Sequence, residues 1–263
     1  MDVLTPRSLD EALRLKAENP GALPIQGGTD VMVALNFDRA RPDVLLNLGE
    51  IAELRSWSRE NGTFRLGSGL TYTDVMTGPP AEAMPALVEA SRTVGSPQIR
   101  NRGTIGGNLG TASPAGDALP PLLIEGAAVE LASARGMRRL PVTEFLVGPK
   151  RNALAEDELI VGVLVEPSRQ PQTFMKVGPR NAMVIAVCSL ALVADRERGE
   201  LRASFGSAGS VTGLVTCPID AAESFPDAVA TAATPIDDIR GTAAYRRHAL
   251  RVLTHRALER CLA

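Results

Sequence analysis

The sequence is poor in the residues that bind metals. It has three cysteines, Cys188, Cys217 and Cys261, and two histidines, His248 and His255. The cysteines form no CxxC pair and leave an odd thiol. No disulfide framework is expected, and a reducing compartment, the cytoplasm, fits this usage. A four-cysteine iron–sulfur cluster cannot be assembled from this chain alone. Both histidines lie near the C-terminus, so no zinc centre and no histidine-based triad is expected elsewhere. No apolar run reaches the roughly 20 residues that cross a bilayer. The longest, Met183 to Ala194, reads as a buried strand. The start lacks a basic stretch followed by an apolar one, so no secretory signal is expected. A charge excess is missing too: the net charge is -2, which argues against nucleic-acid binding by the chain as a whole.

What remains is an ordinary globular composition, 44% hydrophobic and 22% charged over 263 residues, enough for one to three units. Ser8 and Glu11 form a capping-box pattern ahead of a helical stripe at Leu9, Ala12, Leu13 and Leu15. Pro20-Gly21 ends that helix. Leu23 to Gln26 is a short strand running into Gly27-Gly28, and Asp30 is placed to cap a short helix over 31–35. Val44 to Leu48 reads as a strand. Asn61-Gly62 is a type I′ hairpin signal, and residues 81–94 have helical spacing. The stretch 95–117 is dominated by Gly, Asn, Ser, Thr and Pro and reads as mostly loop. Arg135-Gly136 turns a second hairpin, and 159–165 is a further strand. Beyond a boundary at 167–171, the segments 174–177, 184–194 and 201–205 suggest an antiparallel meander. A helix over 243–262 closes the chain, with Leu250, Leu253 and Leu258 inward. Strands and helices mix without regular βαβ alternation, so the class is α+β.

Two segments carry the chemistry. The first is Gln26-Gly27-Gly28-Thr29-Asp30. The second runs from Thr104 through Ile105, Gly106, Gly107, Asn108, Thr111 and Ser113 to Asp117. Paired glycines can take positive φ and carry no Cβ, so successive N–H groups can converge on an anion. Asn108, Thr111 and Ser113 add side-chain donors. Two such loops suit a ligand with two phosphates. Neither is a Rossmann G-x-G-x-x-G nor a P-loop, and no nucleophile elbow is present.

QGGTD followed at this separation by TIGGNLGTASPAGD resembles the FAD-binding medium subunit of the molybdenum hydroxylases, the group of xanthine dehydrogenases and aerobic carbon monoxide dehydrogenases. The resemblance covers essentially the whole chain and includes PIDDIRGTAAYRRH near its end. It implies two α+β subdomains clasping FAD, of the vanillyl-alcohol-oxidase-like type, at 1–54 and 55–168. A smaller C-terminal α+β domain would follow at 172–263. It implies a large molybdopterin-binding subunit and a small [2Fe–2S] subunit as partners, in a dimer of heterotrimers. Electrons would reach this flavin from the clusters and leave to NAD, oxygen or another acceptor. The scarcity of cysteine and histidine agrees: the molybdenum and iron would sit on partners.

Residue by residue, the resemblance puts Ile25, Gln26, Gly27, Gly28, Thr29, Asp30, Val31 and Met32 along one side of the FAD. Thr104, Ile105, Gly106, Gly107 and Asn108 would form the second phosphate loop, continued by Thr111, Ser113 and Asp117. Asp117 would accept from a cofactor hydroxyl. Ile160 would cover part of the cofactor, and Lys176 would approach the isoalloxazine, where a cation stabilises negative charge on reduction. Read from the residues alone, Asp30 is equally a helix cap and Lys176 equally a solvated strand lysine, while Ile160, in a strand apolar throughout, is more often simply core. Arg246, Arg247, Arg251, Arg256 and Arg260 form a charge run that reads as a solvated face, or more sharply as a docking surface. Two rival functions are a self-contained flavin oxidase and a non-catalytic diphosphate-binding assembly protein. With no histidine before His248, histidyl attachment of FAD through these loops is excluded.

Overall fold

The computed structural model describes residues 1–263. Its first unit is β1 (Asp2–Leu4), α1 (Leu9–Glu18), β2 (Leu23–Ile25), α2 (Val31–Asn36) and β3 (Val44–Asn47). The three strands form a parallel sheet in the order β1-β3-β2. The α+β class holds for the chain, but these residues are locally βαβ, because each strand is followed by a helix that returns the chain to the same edge direction. Ser8 caps α1 by accepting from the Glu11 N–H at 3.2 Å. The Glu11 carboxylate reaches the Arg7 N–H at 2.9 Å, one residue before the cap, so the expected reciprocal box is not closed. Lys16 turns back over the connection that follows the helix, donating to the Pro20 and Ala22 carbonyls. Ala12, Leu46, Leu48, Ile51 and Leu54 pack with Ala132, Leu159 and Val161 of the next unit.

The second unit opens with the hairpin β4 (Trp57–Glu60) and β5 (Thr63–Gly67). Asn61 and Gly62 turn it with φ of 49° and 89°, as a type I′ turn requires. Short helices follow: α3 (Tyr72–Val75), α4 (Gly78–Ala83), α5 (Pro85–Thr93), α6 (Pro97–Arg100), α7 (Ile105–Thr111) and α8 (Leu119–Ile124). Next come β6 (Ala128–Ser133), β7 (Gly136–Pro141), α9 (Val142–Phe145), the ribbon β8 (Leu146–Gly148) and β9 (Arg151–Asn152), and β10 (Leu159–Val165). The main sheet is antiparallel in the order β4-β5-β10-β6-β7. The helix expected over 81–94 is two helices. Pro85 disfavours the helical conformation for Met84, which sits at φ −131°, ψ 64°.

The stretch 95–117, expected to be mostly loop, holds α6 and α7. Ser96 caps α6 with Pro97 at its first position, the favoured start of a helix. Thr104 caps α7. The glycines of α7 weaken its intrinsic helicity by roughly 1 kcal/mol each. Burial of Ile105 and Leu109 in the largest core offsets this.

The third unit is the meander β11 (Gln172–Val177), β12 (Cys188–Asp195), β13 (Glu200–Gly206) and β14 (Gly213–Pro218), with α10 (Phe225–Ala232) and α11 (Ala243–Leu262) packed on it. The strand expected from Val184 starts at Cys188; β14 and α10 were not expected from the sequence. Leu250, Leu253 and Leu258 face the core as expected. Most of the arginine run is a solvated face: Arg247, Arg251, Arg256 and Arg260 are exposed, and Arg246 is the exception. Arg246 is buried against Asp238, Arg251 pairs with Asp227, Arg247 donates to the Ala233 carbonyl and Arg260 to Thr173.

The second and third units share a buried seam of Ala86, Ala90, Ile124, Phe174, Ala191 and Val193. Polar groups close it on both sides. Glu89 accepts from the Phe174 N–H and the Thr173 hydroxyl. Glu125 accepts from the Ser168 N–H and from Gln172. The Ser207 N–H donates to the Pro114 carbonyl at 2.7 Å, which ties β13 to the segment after α7.

Candidate functional site

A cleft of about 400 Å³ opens between the first and second units, within the range of ligand sites. The β2–α2 connection forms one wall, α7 the other, and the segment from β9 into β10 the floor. Asn152 of β9 donates to the Gly110 carbonyl at 2.8 Å, and the Lys150 N–H donates to Ala112. The ribbon is thus fastened to the end of α7. Of the residues expected at the site, Gln26, Gly27, Gly28, Thr29, Asp30, Val31, Thr104, Gly106, Gly107, Asn108, Thr111 and Ile160 line this cleft.

The two glycine pairs do different things. Along the first wall, the backbone N–H groups from Gly27 to Val31 donate to no other protein group. Gly28 has φ 76°, the conformation that turns successive amides toward one side. A Cβ at Gly27 would overlap the Arg102 carbonyl oxygen. Glycine there lets the two units touch. Asp30 precedes α2 without capping it. Its Oδ2 instead accepts from the Thr111 hydroxyl at 3.2 Å, a bond that crosses the cleft from one wall to the other.

The second wall is not the loop nest that its composition suggests. Neither Gly106 nor Gly107 has positive φ, and the amides there are already paired. Ile105 donates to Leu70, Gly106 to Ser68 and Asn108 to Thr104. Gly107 donates to Thr104 Oγ1 at 2.9 Å. The glycines serve close packing. A Cβ at Gly106 would lie 2.5 Å from the Ser68 side chain and 2.6 Å from its carbonyl oxygen. A Cβ at Gly107 would meet only Thr104 Oγ1, at 3.0 Å, and would otherwise stand in the cleft. Asn108 braces the segment that follows, its Oδ1 accepting from the Ala118 N–H at 3.2 Å.

The remaining expected residues lie off the cleft lining. Ile25 is half-buried in β2 and Met32 is exposed on α2. Ile105 is wholly inside the core. Ser113 accepts from the Ala115 N–H. Asp117 and Lys176 face each other. Lys176 is not a solvated lysine: its side chain is 5% exposed, and its Nζ donates to Asp117 Oδ2 at 2.7 Å and to the Thr93 carbonyl at 3.0 Å. Burial pushes the Asp117 carboxyl up to about 6 against the opposing pull of Lys176. Its second oxygen, Oδ1, is buried without a partner.

Sequence reasoning did not find the floor. Leu23, Pro24, Leu48, Leu154 and Leu159 join Ile160 in an apolar end, but such residues look like core until a sheet edge exposes them. Tyr72 and Glu158 also line the cleft. The Arg138 guanidinium holds the Glu158 carboxyl below its ordinary value, burial opposing. Asp30 and Glu158 are the only charged side chains in the lining; no lysine or arginine contributes to it.

A run of unpaired amides stands opposite a flat glycine wall, with an apolar end, in the cleft between these two units. Residues 1–167 match the family described as the FAD binding domain in molybdopterin dehydrogenase, and the chain belongs to that family. It is 29% identical over 276 residues to the putative xanthine dehydrogenase FAD-binding subunit of Escherichia coli, covering 97% of this chain and 94% of that one. It is likewise 29% identical over 269 residues to the nicotine 6-hydroxylase medium subunit of Paenarthrobacter nicotinovorans, covering 97% and 94%. The carbon monoxide dehydrogenase structure from Hydrogenophaga pseudoflava shares the fold, with a TM-score of 0.91 at 24% identity, over 100% of this chain and 97% of that one. The chain is an FAD-binding medium subunit of the molybdenum hydroxylase type and part of an oxidoreductase. No group of three or more His, Cys, Asp or Glu side chains is gathered for a metal. No helix is long and apolar enough to cross a membrane.

Proposed function

We propose that this chain holds FAD non-covalently in the cleft and relays electrons. It would receive them from [2Fe–2S] clusters on a small partner subunit, which are reduced in turn by a large molybdopterin-binding subunit. It would pass them to NAD, oxygen or another acceptor, in a dimer of heterotrimers. The observation that carries the reading is the unpaired amide run from Gly27 to Val31 facing Gly107 across the cleft. Those amides would hold the diphosphate, and the apolar end at Leu154, Leu159 and Ile160 would shelter an aromatic base. FAD supplies a group that can take electrons and release them again; this chain binds and orients it. Lys176, with Asp117, would stand toward the redox ring.

The test is in two parts. Acid precipitation of the purified chain should release all flavin to the supernatant, about one per chain; colour kept in the pellet refutes non-covalent binding. A metal-free preparation should be reduced by an artificial donor but not by the organic substrate of the complex. Bleaching by substrate alone would favour a self-contained oxidase, and a chain that takes up no FAD would favour the assembly role.

The lining also sets the salt dependence. Neutral dipoles, not cations, face the diphosphate, and Asp30 and Glu158 oppose it. FAD affinity should therefore change less than about threefold between roughly 50 and 500 mM salt, since screening weakens attraction and repulsion alike. A steep loss in the same titration would mean that a lysine or arginine contacts the phosphates.

A further inference from the structure

We propose that Tyr72 is a cofactor-binding residue whose hydroxyl donates a hydrogen bond to an oxygen in the diphosphate–ribityl stretch of FAD; this rests on the FAD reading of the cleft. The residue is 4% exposed and lines the cleft; its hydroxyl makes no hydrogen bond within the protein and is not among the sealed, partnerless side-chain atoms. A phenol O–H that is unpaired in the protein at a cleft wall is free to donate to a ligand acceptor. The ring is the only aromatic one in the lining.

Its placement is fixed from several directions. Tyr72 opens α3 behind a capping box, Thr71 accepting from Asp74 and the Asp74 carboxylate accepting from Thr71. Its N–H donates to the Gly103 carbonyl at 3.0 Å. Gly103 lacks a Cβ where one would come within 3.0 Å of the ring. The phenol cannot swing away to solvent without breaking these contacts.

The phenol is held in its protonated form. It feels both Asp30, at the amide wall, and Asp117, beside Lys176. Burial and those carboxylates push its ionisation up, so it remains an O–H donor. With the α7 amides spent on protein acceptors, Tyr72 joins the Asn108 side chain as a donor that the second unit brings to the lining.

The test is Tyr72→Phe, which keeps the ring and removes the hydroxyl. FAD should bind about tenfold more weakly to the full chain in a fluorescence titration, the size of one hydrogen bond to a charged or polar acceptor. Thermal unfolding of the flavin-free chain should stay unchanged. Affinity within twofold of the parent overturns the proposal. So does a loss of affinity matched by a loss of flavin-free stability, which would assign the hydroxyl a packing role. A parent chain that binds no FAD in the same titration overturns the FAD reading itself.

Discussion

Gly27→Ala is expected to abolish measurable FAD binding while leaving the secondary structure in place. The added methyl would overlap the Arg102 carbonyl oxygen, which is backbone and has no rotamer to yield. The β2–α2 wall must move away from the segment before α7. That movement spoils two things at once: the aim of the Gly27–Val31 amides and the Asp30–Thr111 bond across the cleft. Each charge-assisted bond lost is worth roughly 1.5–3 kcal/mol, so losing two weakens binding by on the order of a hundredfold or more. The overpacking itself should cost about 1–3 kcal/mol of stability. Gly62→Ala is the control, since Gly62 has φ 89° and open space around it. It carries backbone strain without touching the cleft. Gly107→Val should also weaken FAD binding on the order of a hundredfold, because its side chain would stand in the cleft and exclude the ligand. Gly136→Val, with φ 132° and open space, strains a turn only. If Gly27→Ala bound FAD within a few-fold of the parent, with flavin content and circular dichroism measured side by side, the contact between the walls would not organise the site.

Much of this site was legible in the sequence, but for reasons that differ between its halves. QGGTD was read as a phosphate cradle, and the unpaired amides support that use. TIGGN was read the same way because glycine pairs, asparagine and threonine are loop residues by composition. Composition carries no information about Ser68, 38 residues earlier, whose backbone needs Gly106 to have no side chain. Nor does it show that Leu70 and Ser68 accept the α7 amides. A tertiary contact turned a loop-like string into a helix. The same limit hid Tyr72: nothing local distinguishes it from a core tyrosine, and its role depends on Gly103, 31 residues away. The meander and the closing helix were visible because their hydrophobic periods are long. β14 and α10 were not: both are short, and α10 has a proline as its second residue. Arg246 on α11 looked solvated like its neighbours because its partner Asp238 lies upstream, in a turn.

Lys176→Met is expected to destabilise the chain strongly at pH 8 and much less at pH 5. Lys176 and Asp117 form a pair with side chains 5% and 11% exposed. Removing one partner strands a buried charge, which typically costs about 3–5 kcal/mol. The pH dependence follows from Asp117. Its folded value, about 6, lies above the roughly 3.9 of an unfolded chain. The folded state therefore binds more protons between those values, and this group's contribution to stability falls as pH rises from about 4 to about 6. Above that it is flat. Without Lys176 the carboxyl loses the attraction that opposes burial, so its folded value rises further and the window of falling stability extends upward. At pH 5 the carboxyl of the variant is protonated and the stranded charge is gone; at pH 8 it must ionise in the dry seam or remain protonated against the solution. Asp117→Asn in the Lys176→Met background removes the charge altogether and should recover most of the loss at pH 8, to within about 1–2 kcal/mol of the parent, since replacing a buried pair as a whole is often close to neutral. Thermal denaturation at the two pH values decides it. A loss of equal size at both, or a double variant no more stable than Lys176→Met, would mean that Lys176 supports the seam through its bonds to the Thr93 and Val184 carbonyls rather than by neutralising Asp117.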